Sequence, residues 1–431
     1  MDIRPFLFYI LLILGLSSCV EVNNPFSKIP PGTWRGVLEL ESQPFAGAVA
    51  EVSMGQNEGD FLPFLFDVIY DTDDDFHIEI INGDERIIVD DIEYGRDKAT
   101  AKDTLVINFP VFDTYIKAIY EENIMEGAWY VNYRENYQVP FKAYHGQNHL
   151  FTTDVDLDPV NLNGKWASTF EIGTEDEYPA IAEFTQKSTN LNGTFITETG
   201  DYRYLSGQVI GPKFYLSTFD GSHAFLFEGK VMEDNSVSGI FRNGKHYFTS
   251  WIANRDNNAS LTSAYDLTKM VQPGNSFDFS FTDTKGNQVS LSDPKYANKP
   301  KLVQLFGTWC PNCIDETRFL LDFLQKNNVD IEVFAIGFER YEEETKSIAS
   351  LIRFKERMKV PYPVLYGGYY EKELASETFP MLNQIVSYPT LLFINRKNEV
   401  VKIHTGFTGP ATSEFPNFVQ EFRDNIELIT E

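Results

Sequence analysis

The 431-residue chain carries 63 Asp+Glu against 36 Lys+Arg, a formal net charge of −27 at pH 7. Charge of that sign argues against nucleic acid as a partner, which requires clustered positive charge, and against electrostatic docking on anionic lipid. With 42% hydrophobic residues and ~100–200 residues per domain, the length allows roughly two to four domains with cores of their own.

At the N-terminus, Arg4 precedes the apolar run Phe6–Leu16, eleven residues, too short to span a bilayer as a helix. The next residues, Leu16-Ser17-Ser18-Cys19, resemble the lipobox of bacterial lipoproteins. The resemblance implies a lipoprotein signal peptide over residues 1–19 and lipidation of Cys19. It also implies a cell-envelope location, lipid-anchored to a membrane and facing the periplasm or exterior. An ordinary signal peptide with a chance cysteine is the alternative. Residues 20–30 read as a tether.

From Pro31 to about Asn257 short alternating runs bounded by Gly, Asp and Asn predict an all-β region. Examples are Trp34–Leu40, Ile78–Ile81, Leu105–Phe109 and Phe214–Ser217. A glycine recurs at mid-strand in Met125–Trp129, Leu191–Phe195, Leu205–Val209 and Val237–Phe241. That placement suits a strongly curved meander or barrel. The stretches "GTWRGVLEL" (32–40) and "NGKWASTFE" (163–171) open two similar segments. We read two related β modules, 31–146 and 160–256; one continuous sheet built from both is the alternative. Trp34, Trp129, Trp166 and Trp251 read as core. The acidic runs Asp71–Asp75 and Asp154–Asp158 lack the Gly at position six and the Glu at twelve of a calcium loop, and read as turns.

Residues 257–273 read as a linker, after which strand and helix patterns alternate and predict an α/β layer fold over 274–431. Strands are expected at Lys301–Phe306, Ile331–Phe338, Thr390–Asn395 and Val400–Thr405. A helix over 341–358 should bury Ile348, Leu351, Ile352 and Lys355, and one over 413–428 should bury Phe415, Phe418, Phe422 and Ile426.

The chemistry lies in "GTWCPNC", residues 307–313. If Cys19 carries lipid, Cys310 and Cys313 are the two cysteines that remain. A zinc site needs four ligands and this pair supplies two, and haem attachment needs His where Ile314 stands. A disulfide closing so small a loop stabilises little. Redox work fits better. The strand Lys301–Phe306 leads into the pair and a helix pattern follows, so Cys310 sits at a helix N-terminus, where free amides and the dipole favour a thiolate. Pro311 suits the first helical turn. Cys310 then attacks a disulfide and Cys313 resolves the mixed disulfide.

Residues 274–431 are similar to the thioredoxin-fold domain of the TlpA-like thiol–disulfide oxidoreductases, a family related to the AhpC/TSA redoxins. The likeness rests on 277–313, which end in Trp309-Cys310-Pro311-Asn312-Cys313, and on "SYPTLLFINRKNEVVKIHTGF" (387–407). It implies a cis peptide at Tyr388-Pro389 that holds a partner's backbone beside Cys310, shielding of the pair by Trp309, and a protein disulfide reductase activity with no cofactor. Protein disulfides would be the substrates and an upstream thiol the electron donor. Gln304 stands where thioredoxin has a buried aspartate, and Glu316 is the expected stand-in, moving the proton of Cys313; a solvated helix glutamate is the alternative. "PYPVLYGGYY" (361–370) reads as part of an insertion, a strand at the edge of the core.

Two other functions compete. A peroxiredoxin-like peroxidase would carry Thr or Ser three residues before its cysteine, where Gly307 and Cys310 stand. A binding lipoprotein would capture a polypeptide or small ligand in a cavity of the β region.

Overall fold

The computed structural model describes residues 28–40, 60–152, 157–272, 274 and 276–431. The signal segment, Cys19, most of the tether, Asp154 and Asp156 lie outside them. The strands form two nine-stranded sheets followed by one of seven strands. The β region is therefore two separate sheets rather than one continuous one.

The two β sheets begin alike. Gly32–Glu39 pairs antiparallel with the next strand, Phe61–Tyr70, and with the last of its sheet, Gln138–His145. Gly164–Phe170 does the same with Tyr178–Lys187 and Tyr247–Arg255. In each opening strand every second residue faces the core. The Trp34 indole N–H donates to the Pro30 carbonyl at 3.1 Å and that of Trp166 to Leu162 at 2.9 Å, the same offset of four residues. The internal resemblance read from "GTW" and "GKW" is thus a resemblance of strand, register and cap.

In the second sheet Tyr178–Lys187 also pairs with Asn190–Thr197, which closes the strands into a barrel. The recurrent glycines make the curvature sterically feasible. A Cβ on Gly127 would lie 1.9 Å from the Lys117 carbonyl oxygen, and one on Gly207 1.7 Å from that of Tyr215. No side chain fits so close to a neighbouring backbone. The four tryptophans are buried, as expected. Trp251 packs on Phe170 and Phe195 with ring centroids 5.9 and 5.1 Å apart, so aromatic rings fill the barrel interior.

Residues 263–271 run along the C-terminal domain. Thr405 N–H donates to the Ala264 carbonyl, Lys269 N–H to the Asn383 side chain, and Met270 bridges Leu382. The stretch expected as a linker is therefore a bound strap over much of its length.

The seven-stranded sheet runs in the order Gln288–Ser290, Ser280–Asp283, Val364–Tyr369, Glu332–Glu339, Lys301–Phe306, Thr390–Ile394, Val400–Thr405. Its central strands Lys301–Phe306, Glu332–Glu339 and Val364–Tyr369 are parallel, and the first two are buried along nearly their whole length, as strands covered on both faces must be. Four helices accompany it: α1 (Pro311–Asn327), α2 (Glu344–Arg357), α3 (Lys372–Thr378) and α4 (Phe415–Thr430). Two expectations need correction. Val364–Tyr369 is not an edge strand, because the hairpin Ser280–Ser290 pairs on its outer side. The stripe that α2 buries is Ser347, Ser350, Leu351 and Phe354. Small serines let that helix approach the sheet, which turns Ile348, Ile352 and Lys355 to its flank. Helix α4 buries Phe418, Phe422 and Ile426 as expected, with Ile429 in place of Phe415.

Candidate active site

Lys301–Phe306 delivers the chain to α1 at the end of the sheet. Cys310 is the N-cap of α1 and Pro311 its first helical residue. Cys310 and Cys313 are joined as a disulfide, their Cα atoms 5.2 Å apart. The Cys313 amide N–H points at the Cys310 sulfur, 3.2 Å away. An unpaired amide of the first helical turn therefore faces the atom that would carry negative charge in the reduced state. Cys310 keeps 7% of its surface in solvent and Cys313 none, which separates an attacking from a resolving position.

The Tyr388-Pro389 peptide is cis. It presents the Tyr388 carbonyl oxygen 3.6 Å from the Cys310 sulfur. Trp309 folds back, its indole N–H donating to the Phe338 carbonyl at 3.0 Å, with its ring edge-to-face against Tyr388. The residues named from the family likeness, Trp309, Pro311, Tyr388 and Pro389, are thus brought to one place with the two cysteines.

Beneath them lies a buried carboxyl. Glu316 is fully buried, so it is not a solvated helix residue. The Gln304 amide donates to Glu316 Oε2 at 2.8 Å and lies 3.4 Å from the Cys313 carbonyl oxygen. The Thr317 hydroxyl donates to the Cys313 carbonyl at 2.8 Å and lies 3.2 Å from Gln304 Oε1. Glu316 Oε1 has no hydrogen-bond partner. Burial raises the Glu316 pKa to about 8, against the small lowering effect of Gln304. Gln304 holds this carboxyl in place.

A second buried carboxyl, Glu339, escaped the sequence reading. It accepts from the Thr308 amide at 3.0 Å and the Thr308 hydroxyl at 2.7 Å, which fixes the loop just before Cys310. Burial raises its pKa to about 7. The signal for it is a charge ending an otherwise apolar strand, "EVFAIGFE" (332–339).

The β barrel also reaches this site. The Asn312 amide donates to the Asp201 carbonyl at 3.0 Å, and the Ser387 hydroxyl to the Thr199 carbonyl at 3.2 Å. The Ser222 hydroxyl donates to the Trp309 carbonyl at 2.9 Å. Gly200 (φ +136°) permits this approach, since a Cβ there would lie 2.4 Å from the Asn312 amide nitrogen. Buried Arg203 pairs with Glu85 of the first sheet and with Asp315 of α1, and lies 3.8 Å from Asp220. The turn Thr199–Asp201 therefore rests on both Asn312 and the loop of Pro389, the flanks of Cys310. Nothing local in "TETGDYRY" (197–204) marks it for that contact.

Residues 272–421 match the protein-family model described as Redoxin. The C-terminal domain is a redoxin domain. The redoxin domain is similar to the thioredoxin-like protein YneN of Bacillus subtilis (strain 168), at 28% identity over 130 residues, 30% of this chain and 68% of that protein. Among solved structures, a thiol-disulfide oxidoreductase from Bacteroides fragilis NCTC 9343 aligns at 15% identity and TM-score 0.25, over 33% of this chain and 98% of that one. The pneumococcal exposed lipoprotein thioredoxin from Streptococcus pneumoniae strain TIGR4 aligns at 24% identity and TM-score 0.24, over 34% of this chain and 99% of that one.

Proposed function

We propose that the chain is a cell-envelope thiol–disulfide oxidoreductase that reduces protein disulfides through Cys310 and Cys313. The observation that carries this reading is Cys310 at the N-cap of α1, beside the Tyr388-Pro389 loop, with Cys313 and buried Glu316 behind it. The redoxin match supports the same class of chemistry.

The Cys310 thiolate attacks one sulfur of the substrate disulfide. A Cys310–substrate bond forms, and the other substrate sulfur leaves as a thiolate that takes a proton from water. Cys313 then gives its proton to the Glu316 carboxylate and attacks the Cys310 sulfur. The second substrate sulfur leaves and is protonated. The substrate gains two electrons and the Cys310–Cys313 disulfide forms, to be reduced again by an upstream thiol donor. A pKa near 8 lets Glu316 exchange a proton close to neutral pH. Trp309 shields the pair, and the cis-proline loop aligns the substrate backbone.

The peroxidase reading finds no support at the pair, because Gly307 stands where its hydroxyl residue belongs. The filled barrel weighs against a ligand cavity inside the second sheet. Lipidation at Cys19 and membrane anchoring complete the proposal, on the strength of Leu16-Ser17-Ser18-Cys19.

Trapping tests it. Cys313→Ser should hold substrates on Cys310 as mixed disulfides that mass spectrometry identifies. Recovery of no Cys310-linked protein from an envelope extract would overturn the assignment.

A further inference from the structure

Where the two β sheets meet the redoxin domain there is a polar cavity of about 30 Å³. Arg134, Arg340, His223, His246, Trp129 and Asn243 line it, and Trp309 forms part of its wall. None of the proposed exchange steps needs it.

Its chemistry is lopsided. The Arg340 guanidinium lies over the rings of Trp309, Tyr370 and Tyr133, at 4.2, 4.9 and 5.3 Å from their centroids. Those contacts hold the charge without neutralising it. Arg134 lies over Tyr137 at 5.6 Å. Neither arginine has a carboxylate partner among the described residues, in a chain with 27 more acidic than basic groups. The Arg340 Nε, the Trp129 indole N–H, His223 Nδ1 and Asn243 Oδ1 are all buried without a hydrogen-bond partner, and Trp129 is 1% exposed. Each such group costs free energy unless something fills the site. Burial first, and then the guanidinium charges of Arg134 and Arg340, lower the pKa of His246. Asp220 Oδ1 accepts from the amides of Ser222 and His223 at 2.8 and 2.6 Å, and its Oδ2 lies 3.7 Å from His223 Nδ1 and 3.8 Å from Arg203. That carboxylate offsets charge on the His223 side of the cavity and leaves Arg134 and Arg340 without one among the described residues.

We propose that this cavity is a binding site for a single carboxylate group. Its volume admits about two waters, which suits a carboxylate, and two guanidinium groups with an indole N–H suit its oxygens. The rim is open at His246 and half-open at Arg134. Two sources supply the group: a free small carboxylate, or an acidic side chain or C-terminus of the protein whose disulfide is attacked. The second source rests on the function proposed above.

The first arm titrates the full chain with sodium acetate against sodium chloride at fixed ionic strength, following the fluorescence of Trp129 and Trp309. A saturable change beyond the chloride control is expected, with the midpoint weakened about tenfold or more in Arg134→Gln and Arg340→Gln. Circular dichroism establishes folding, and half-buried Arg134 carries the test should Arg340→Gln fail to fold. The second arm compares the KM of a disulfide peptide bearing Glu near the disulfide with that of its Gln counterpart. A lower KM for the Glu peptide, lost in Arg134→Gln, assigns the site to the substrate. The acetate arm needs no redox activity, so it stands even if the Cys310 assignment fails. Acetate curves that superimpose on chloride together with equal KM values overturn the site, as does acetate binding unchanged in both arginine variants.

Discussion

The Gln304 amide donates to the Glu316 carboxyl at 2.8 Å, and neither side chain reaches solvent. Burial holds the Glu316 pKa up at about 8, above that of the unfolded chain. Unfolding then releases this proton between those two values. The stability Glu316 contributes is full below about pH 4 and declines as pH rises toward 8, at up to about 1.4 kcal/mol per pH unit. Glu316→Gln should flatten that decline and stabilise the domain most above about pH 8. The same substitution should remove an inflection near pH 8 from the rate of disulfide exchange. Thermal melts and pH–rate profiles of the two proteins check both; superimposable curves would leave Glu316 with no titrating role.

Arg203 joins the barrel to the first sheet and to α1 through Glu85 and Asp315. Breaking a buried pair from one side typically costs about 3–5 kcal/mol. Arg203→Met should lower the melting temperature by several degrees and expose the junction to protease. An unchanged melt would show that the network contributes no net stability.

The turn Thr199–Asp201 rests on Asn312 and on Ser387 beside Cys310, and on the proposed function it would stand in the way of a docking protein. Gly200→Val places a side chain against Asn312 and should lift the turn away. Reduction of a protein disulfide should then speed up severalfold, while reaction with a small disulfide such as that of dithiodipyridine changes little. Equal effects on both substrates would mean that the turn does not select by size.

Cys19 lies outside the described residues, and biochemistry must test it. The mature protein should pellet with membranes, and Cys19→Ala should stop lipid attachment. Globomycin should leave the uncleaved precursor. Normal processing in its presence would point to an ordinary signal peptide.

The placement of Cys310 at a helix N-cap was legible because its determinants are local: a strand, Trp-Cys-x-x-Cys and a helix period adjoin in sequence. The β region was legible as curved for the same reason, since Gly127 and Gly207 each record a close strand approach. What the sequence hid is long-range. Asn312 meets Asp201 across 111 residues and Ser387 meets Thr199 across 188, and no periodicity encodes such contacts. Burial was only half legible: Glu316 reads as the stand-in for a buried aspartate, with a solvated glutamate as the alternative, and only the fold, closing Gln304 over it, decides between them, while Glu339 escapes notice. The place of Val364–Tyr369 was misjudged because a hairpin more than seventy residues earlier supplies the edge.

The most direct measurement is insulin reduction by the full chain in the presence of dithiothreitol. Wild type should precipitate the insulin B chain well ahead of dithiothreitol alone. Cys310→Ser should fall to the dithiothreitol rate while keeping the wild-type circular dichroism spectrum. A Cys310→Ser protein that still matches wild type would contradict the account at its centre.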